Sequence, residues 1–267
     1  MNGVPVSENQ GGTAALQVGR EIRTGEGMAE LLLTPGSFLR LGNRSDLTLN
    51  DMSTSEVRAR LGNGEALLEV LSLRTPIILE QDGATAVIRK PGLYDFNAKR
   101  SLIAVYSGEL QVDKGGQRVI AGKGFGARTR RLRESQTKPD PGNPLYSWSK
   151  IRDEQLSSES AASAQTYPGG AGGWHGPAWY WNPWSASYTF LSASGFVTGP
   201  FGWPYYSPGY APDYVPVHRG GDSWPYGPPV LTGPEPMQMP GPSPINRPPT
   251  VPLTAPGVPG FPNSRFR

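Results

Sequence analysis

The amino-acid sequence predicts an all-β domain, a sandwich or solenoid-like roll of about a dozen short strands, then a short helix and a largely irregular tail. Three observations predict it. Short apolar runs recur along residues 16–128, each ended by Gly, Pro, Asn or Asp, which is the rhythm of strands and turns. Every run is interrupted before two helical turns have formed, so no amphipathic helix fits this stretch. Composition then changes near Gln165: 22 of the 29 prolines and six of the seven tryptophans lie beyond Tyr167, with only four of the 25 Lys/Arg.

The elements follow in order. Met28–Leu33 stops at Pro35-Gly36, and Phe38–Leu41 stops at Gly42-Asn43. Leu47-Thr48-Leu49 alternates apolar and polar positions. Val57, Ala59 and Leu61 alternate with Arg58 and Arg60, giving one face to a core and the other to water. Ala66–Leu71 follows the turn Gly62-Asn63-Gly64. Ile77–Leu79, Thr85–Ile88 and Leu93–Phe96 are separated by Asp82-Gly83 and Pro91-Gly92. Leu102–Tyr106, Leu110–Val112 and Val119–Ala121 complete the set, with turns at Ser107-Gly108, Lys114-Gly115-Gly116 and Gly122-Lys123-Gly124. Gly supplies positive φ at such turns and Pro a fixed φ.

Residues before Pro168 carry 21 basic and 19 acidic side chains, a near balance that speaks against nucleic acid despite a pI of 9.1. The absence of cysteine excludes disulfides, thiolate metal sites and a cysteine nucleophile. No apolar run approaches the roughly 20 residues of a membrane-spanning helix. Met1 is followed by Asn2-Gly3-Val4-Pro5 rather than a basic and then apolar leader. Asn2-Gly3 is a hairpin signal with no strand ahead of it. The start therefore reads either as a frayed end or as the inside of a hairpin whose first strand lies upstream.

Three regions are expected: a β domain over 1–133, a linker with a short amphipathic helix over 134–166, and a low-complexity, mostly disordered tail over 167–267. Arg128, Arg130, Arg131 and Arg133, interleaved with Thr129, Leu132 and Glu134, read as a solvated exit from the β domain. Asn143 suits a helix cap and Pro144 the first helical position. Leu145, Trp148, Arg152 and Leu156 then share one face of a helix reaching about Ala162.

In the tail, low charge and many aromatics depart from the pattern of solvated disorder, so residues 174–226 are expected to adhere to something. The candidate contact residues are Trp174, Trp179, Tyr180, Trp181, Trp184, Trp203, Tyr205 and Tyr206. They can fold back on the β body, pair with another chain, or stack on sugar rings. Only Ser187–Leu191 reads as a strand there.

Catalysis needs convergent groups on a rigid scaffold, and the two histidines, His175 and His218, both lie in the Gly/Pro tail. A Ser–His–Asp triad or a histidine metal site is not expected. Glu65, Glu69, Asp95 and Glu109 sit in or beside strands, where two carboxylates can meet across a cleft. Solvated strand faces explain them more simply. Gly122-Lys123-Gly124-Phe125-Gly126 lacks the Lys-Ser/Thr pair and following helix of a phosphate loop, so these are turn glycines. The expectation is a protein that is not an enzyme and holds no cofactor or metal.

The order of these pieces resembles the FecR-domain family of bacterial envelope proteins. The resemblance rests on Arg23-Thr24-Gly25-Glu26-Gly27 before Ala29–Gly42, on Ser45–Leu49, Leu61–Val70 and the Pro91–Phe96 segment, and on Val105–Val112 and Val119–Ala127. It covers residues 16–127, and with the trailing Trp179–Trp184 segment the chain looks like those of soil bacteria such as acidobacteria. Regulatory members carry a helical segment that holds a sigma factor, and a membrane helix. Neither pattern occurs among these residues, so the sigma-regulator role is not carried over. Members of the tailed type begin with a signal peptide and a first strand, which agrees with the orphan hairpin at Asn2-Gly3.

The resemblance implies a periplasmic, envelope or secreted location if such a leader lies upstream, and a cytoplasmic one if Met1 is the true start. The expected function is a non-catalytic scaffold or binding protein whose partner is an envelope protein or a polysaccharide. A carbohydrate-binding protein and a FecR-type sensor are the alternatives.

Overall fold

The computed structural model describes residues 16–169, 171–182 and 187–211. Its strands are β1 (Glu21–Arg23), β2 (Ala29–Leu32), β3 (Ser37–Leu41), β4 (Asp46–Met52), β5 (Val57–Asn63), β6 (Glu65–Val70) and β7 (Ile77–Gln81). They continue as β8 (Ala84–Ile88), β9 (Gly92–Asn97), β10 (Leu102–Ser107), β11 (Glu109–Lys114), β12 (Gln117–Gly122), β13 (Phe125–Arg128) and β14 (Arg133–Gln136). These build two seven-stranded sheets, in the order β1-β4-β5-β7-β8-β11-β12 and β14-β13-β10-β9-β6-β3-β2. The chain crosses from sheet to sheet every one or two strands, which winds it as a roll. All pairings within the sheets are antiparallel except β5 with β7, because β6 between them belongs to the other sheet. The predicted all-β architecture is thus the observed one.

Alternation places one side of each strand in the space between the sheets. Leu39 and Leu41 of β3, Leu68 and Val70 of β6, and Tyr94 and Phe96 of β9 meet Leu47, Leu49, Ala59, Leu79 and Val112 of the first sheet there. At the β10–β11 turn Gly108 adopts φ +90°, and a Cβ in its place would lie 2.2 Å from the Tyr94 hydroxyl. That hydroxyl accepts from the Glu109 amide at 3.0 Å and donates to the Lys90 carbonyl. Only glycine leaves room for this tie.

The outer faces of the two sheets differ. On the first, residues such as Arg58, Arg60, Glu80 and Thr85 are left partly or fully to solvent. On the second, β3 and β9 are buried along their whole length, because a third layer covers them. It consists of α1 (Pro144–Thr166), a 3-10 turn, and two hairpins, β15 (Ala178–Asn182) with β16 (Ser187–Leu191) and β17 (Phe196–Thr198) with β18 (Pro204–Tyr206). Phe38, Leu71, Leu156, Phe190 and Tyr205 form one apolar cluster of this layer, and Leu67, Leu93 and Leu145 another.

Several elements depart from the sequence reading. β1, β13, β14, β15, β17 and β18 fall where turn, linker or irregular tail is expected, and packed structure continues to Ala211. These strands have only three to five residues, too few for an alternation to stand out. α1 reaches Thr166 rather than about Ala162. Its buried side includes Ser149, Asp153, Ser157, Ser160 and Ser163, a polar stripe that hydrophobic periodicity does not register. The orphan hairpin at Asn2-Gly3, Trp184, His218 and residues 212–267 lie outside the described residues.

Candidate functional site

The densest polar constellation sits where the third layer meets the second sheet. β3 sends Leu39 and Leu41 into the core, so Phe38 and Arg40 face outward beneath α1. Register sets Arg40 opposite Glu30 of β2 and Leu67 of β6, with Glu69 two residues along on the same face. Arg40 Nε donates to Glu30 Oε2 at 2.8 Å and Nη1 to Glu69 Oε2 at 2.7 Å. From α1, Arg152 Nε donates to Glu30 Oε1 at 3.0 Å. Asp153, the next residue, accepts from the Tyr205 hydroxyl and lies close enough to Glu69 to feel its charge. Arg40, Glu69, Asp153 and Tyr205 are all fully buried.

Electrostatics decide where the protons are. Burial would lower the Arg40 pKa, but Glu69 and Glu30 reverse this and keep the guanidinium charged. Burial pushes the Glu69 carboxyl up, and Arg40 pulls it back. Burial and then the Glu69 charge raise Asp153 well above the carboxylate range. Glu69 Oε1 and Asp153 Oδ2 are buried without a hydrogen-bond partner. The arrangement is a closed clamp joining β2, β3, β6, α1 and β18.

A second carboxyl pair lies at the start of α1. Asn143 caps the helix, its Oδ1 accepting from the Leu145 amide at 2.8 Å, while its Nδ2 donates to Glu65 Oε1 at 2.6 Å. Asn97 Nδ2 donates to the same oxygen at 3.1 Å. Beside Glu65, the buried Asp95 accepts from the Tyr106 hydroxyl at 2.8 Å. Burial, then the Glu65 charge, pushes the Asp95 carboxyl up to about 7. Glu69 and Asp95, read from sequence as members of solvated strand faces, are therefore buried. The third layer, invisible in the strand pattern, is the reason.

Four rings, Phe38, Trp179, Phe190 and Tyr205, pack together with centroids 5.3–6.0 Å apart. Trp174 and Tyr180 meet Tyr167 edge-on, and the Trp174 indole donates to the Ser192 carbonyl at 2.6 Å. Trp203, Tyr205 and Tyr206 are buried. Of the eight candidate aromatics, Trp181 stays largely exposed, at 43%, and forms an edge-to-face pair with Tyr188 at 5.0 Å. The helix serines complete the layer. Ser157 Oγ donates to the Pro204 carbonyl at 2.6 Å, and Ser160 Oγ accepts from the Tyr206 amide at 3.1 Å. Backbone groups at the hairpin edge are thereby satisfied.

Arg40, Glu30, Asn143 and Asp153 were not singled out as site residues by sequence reasoning. One signal was available: Arg40 is a lone charge inside Phe38–Leu41, between apolar neighbours on both sides.

No family model and no curated protein matches this chain. Two crystal structures of a candidate anti-sigma factor from Parabacteroides distasonis are similar to it at 13% identity, with TM-scores of 0.38 and 0.39. They match 51% and 50% of this chain, which spans 64% and 65% of their length.

Proposed function

We propose that this chain is a non-catalytic scaffolding protein of the bacterial cell envelope, built on a FecR-like β domain that carries its own C-terminal cover. The observation that supports this most directly is the sealing of Arg40, Glu69, Asp153 and Tyr205. The groups best suited to acid–base chemistry are fully buried and committed to one another, so they hold layers together rather than meet a substrate. The envelope location rests on the resemblance of Ala29–Gly42, Leu61–Val70 and Val119–Ala127 to FecR segments. Among the described residues no helix is long and apolar enough to cross a membrane. Scaffolding in this reading uses the solvated outer face of the first sheet. Fractionation of source cells, with mass-spectrometric mapping of the mature N-terminus, tests it. A processed chain in the envelope fraction supports the reading, and an unprocessed cytosolic chain contradicts it.

A second reading, carbohydrate binding, is favoured by one observation: the exposed pair Trp181 and Tyr188 offers apolar ring faces of the kind sugars stack on. Titration with a polysaccharide panel, following tryptophan emission in the parent and in Trp181→Ala, tests it. Flat titrations with the parent chain would sink it.

A further inference from the structure

The arginines at 128–133 do not stand on a loose exit. Thr129 is fully buried and ties four turns into one corner. Its amide donates to the Ser101 carbonyl at 2.8 Å. Its hydroxyl donates to Asp82 Oδ2 at 2.7 Å, and its carbonyl accepts from Lys114 Nζ at 2.9 Å. Register places Arg128 opposite Leu102, so the 128–133 turn lies against the 97–102 turn. The corner thus joins Lys99 and Arg100 to Arg128, Arg130, Arg131 and Arg133, all six exposed.

Charge is concentrated here. Turns 81–84, 97–102, 114–117 and 128–133 sum to +6, against +3 for the whole chain, so the remaining residues are net acidic. Arg23, Arg40, Arg44, Arg58, Lys90, Arg118 and Arg152 each reach a carboxylate. Among the described residues none of the six corner cations does, and neither do Arg20, Arg60, Arg74, Arg89, Lys123, Lys138 and Lys150, so the corner is set apart by how many cations it gathers in one place. They are exposed at turns whose backbone Thr129 braces, and Arg128 reaches across to the Arg100 carbonyl. No aromatic side chain occurs in these four turns.

We propose that this corner docks on an anionic lipid surface through headgroup phosphates. A plane of phosphates can meet several turn tips at once, and each nearby Lys or Arg strengthens such binding. A nucleic acid strand or a glycan would call for a groove with stacking rings. The exposed rings Trp181 and Tyr188 are instead carried by β15 and β16. The inference goes beyond the scaffold reading and does not depend on it, since lipid binding and cell fractionation are separate measurements.

The test is flotation of the full chain with phosphatidylcholine vesicles containing phosphatidylglycerol, and with phosphatidylcholine alone. Binding is expected only to the anionic vesicles and is expected to fall as salt shortens the Debye length. Arg130→Glu/Arg131→Glu/Arg133→Glu is expected to weaken it on the order of a hundredfold. Arg20→Glu/Arg60→Glu/Arg89→Glu, the same charge change at exposed positions elsewhere, is expected to weaken it far less. Lys99→Gln/Arg100→Gln, on a different turn, provides a milder second variant and is expected to lose on the order of tenfold. Equal binding to both vesicle types, equal losses in the two triple variants, or displacement of the vesicles by duplex DNA would overturn the proposal.

Discussion

Arg40 Nη1 donates to Glu69 Oε2 at 2.7 Å, and neither side chain has any solvent exposure. Two charges in that position are costly to desolvate, and their partners decide the balance. Removing Arg40 alone leaves Glu69 and Asp153 as buried acids with no cation between them. Arg40→Met is expected to cost about 3–5 kcal/mol in urea unfolding. Arg40→Met/Glu69→Leu/Asp153→Leu, which removes the charged set together, is expected to recover most of that loss. A triple variant as unstable as the single one would mean that packing, and not the unpaired charge, sets the cost.

Tyr205 connects β18 to Asp153 of α1 from within a ring cluster. Tyr205→Phe keeps the ring contacts with Phe38 and Phe190 and removes one buried hydroxyl. A loss of about 1–3 kcal/mol is expected, because Asp153 Oδ1 is left without its donor. Comparison of Tyr205→Phe with Tyr205→Phe/Asp153→Leu separates that orphaned oxygen from ring packing: the double variant is expected to lose less.

Asn143 discriminates between capping and local charge. Aspartate and serine are both good N-caps in general. Here the Asn143 Nδ2 also donates to Glu65, so an aspartate at this position would set a second carboxylate against Glu65. Asn143→Asp is therefore expected to be less stable than Asn143→Ser at neutral pH, by thermal melting. The opposite ranking would show that the cap, and not the Glu65 bond, dominates.

Asp95 gives a pH dependence with a definite sign. Its folded pKa is raised to about 7 by burial and then by Glu65, against an ordinary unfolded carboxylate. The folded state therefore holds a proton that the unfolded chain releases. Stability is full below the unfolded pKa and falls by up to about 1.4 kcal/mol per pH unit as pH rises towards 7. Asp95→Asn is neutral like the protonated form and keeps an acceptor for Tyr106. It is expected to be more stable than the parent at pH 8 and to show no advantage near pH 4. Denaturant titrations at the two pH values check this, and a constant difference would assign Asp95 no part in the titration.

The β sandwich was legible because its strands alternate around turns that use Gly, Pro or Asp, as at Val57–Leu61, preceded by the turn that Asp51 caps and followed by Gly64 at positive φ. The third layer was not, and the reason is physical. α1 buries Asp153, Ser157 and Ser160, and they bond the Tyr205 hydroxyl and the hairpin backbone at Pro204 and Tyr206. A polar stripe of that kind looks solvated in one dimension. The tail aromatics were visible as adhesive, but their use was not. Trp179 and Tyr205 find Phe38, a strand residue far off in sequence, only when α1 has turned the chain back over the second sheet.

α1 and the two hairpins form an integral layer over the second sheet. Native-state hydrogen exchange of the full chain, read by mass spectrometry, tests it most directly. Peptides covering 145–166, 187–191 and 204–206 are expected to be protected, and to open together under low denaturant. Exchange of all three within seconds, while 93–97 and 102–107 stay protected, would contradict the account and leave the outer face of the second sheet uncovered in solution.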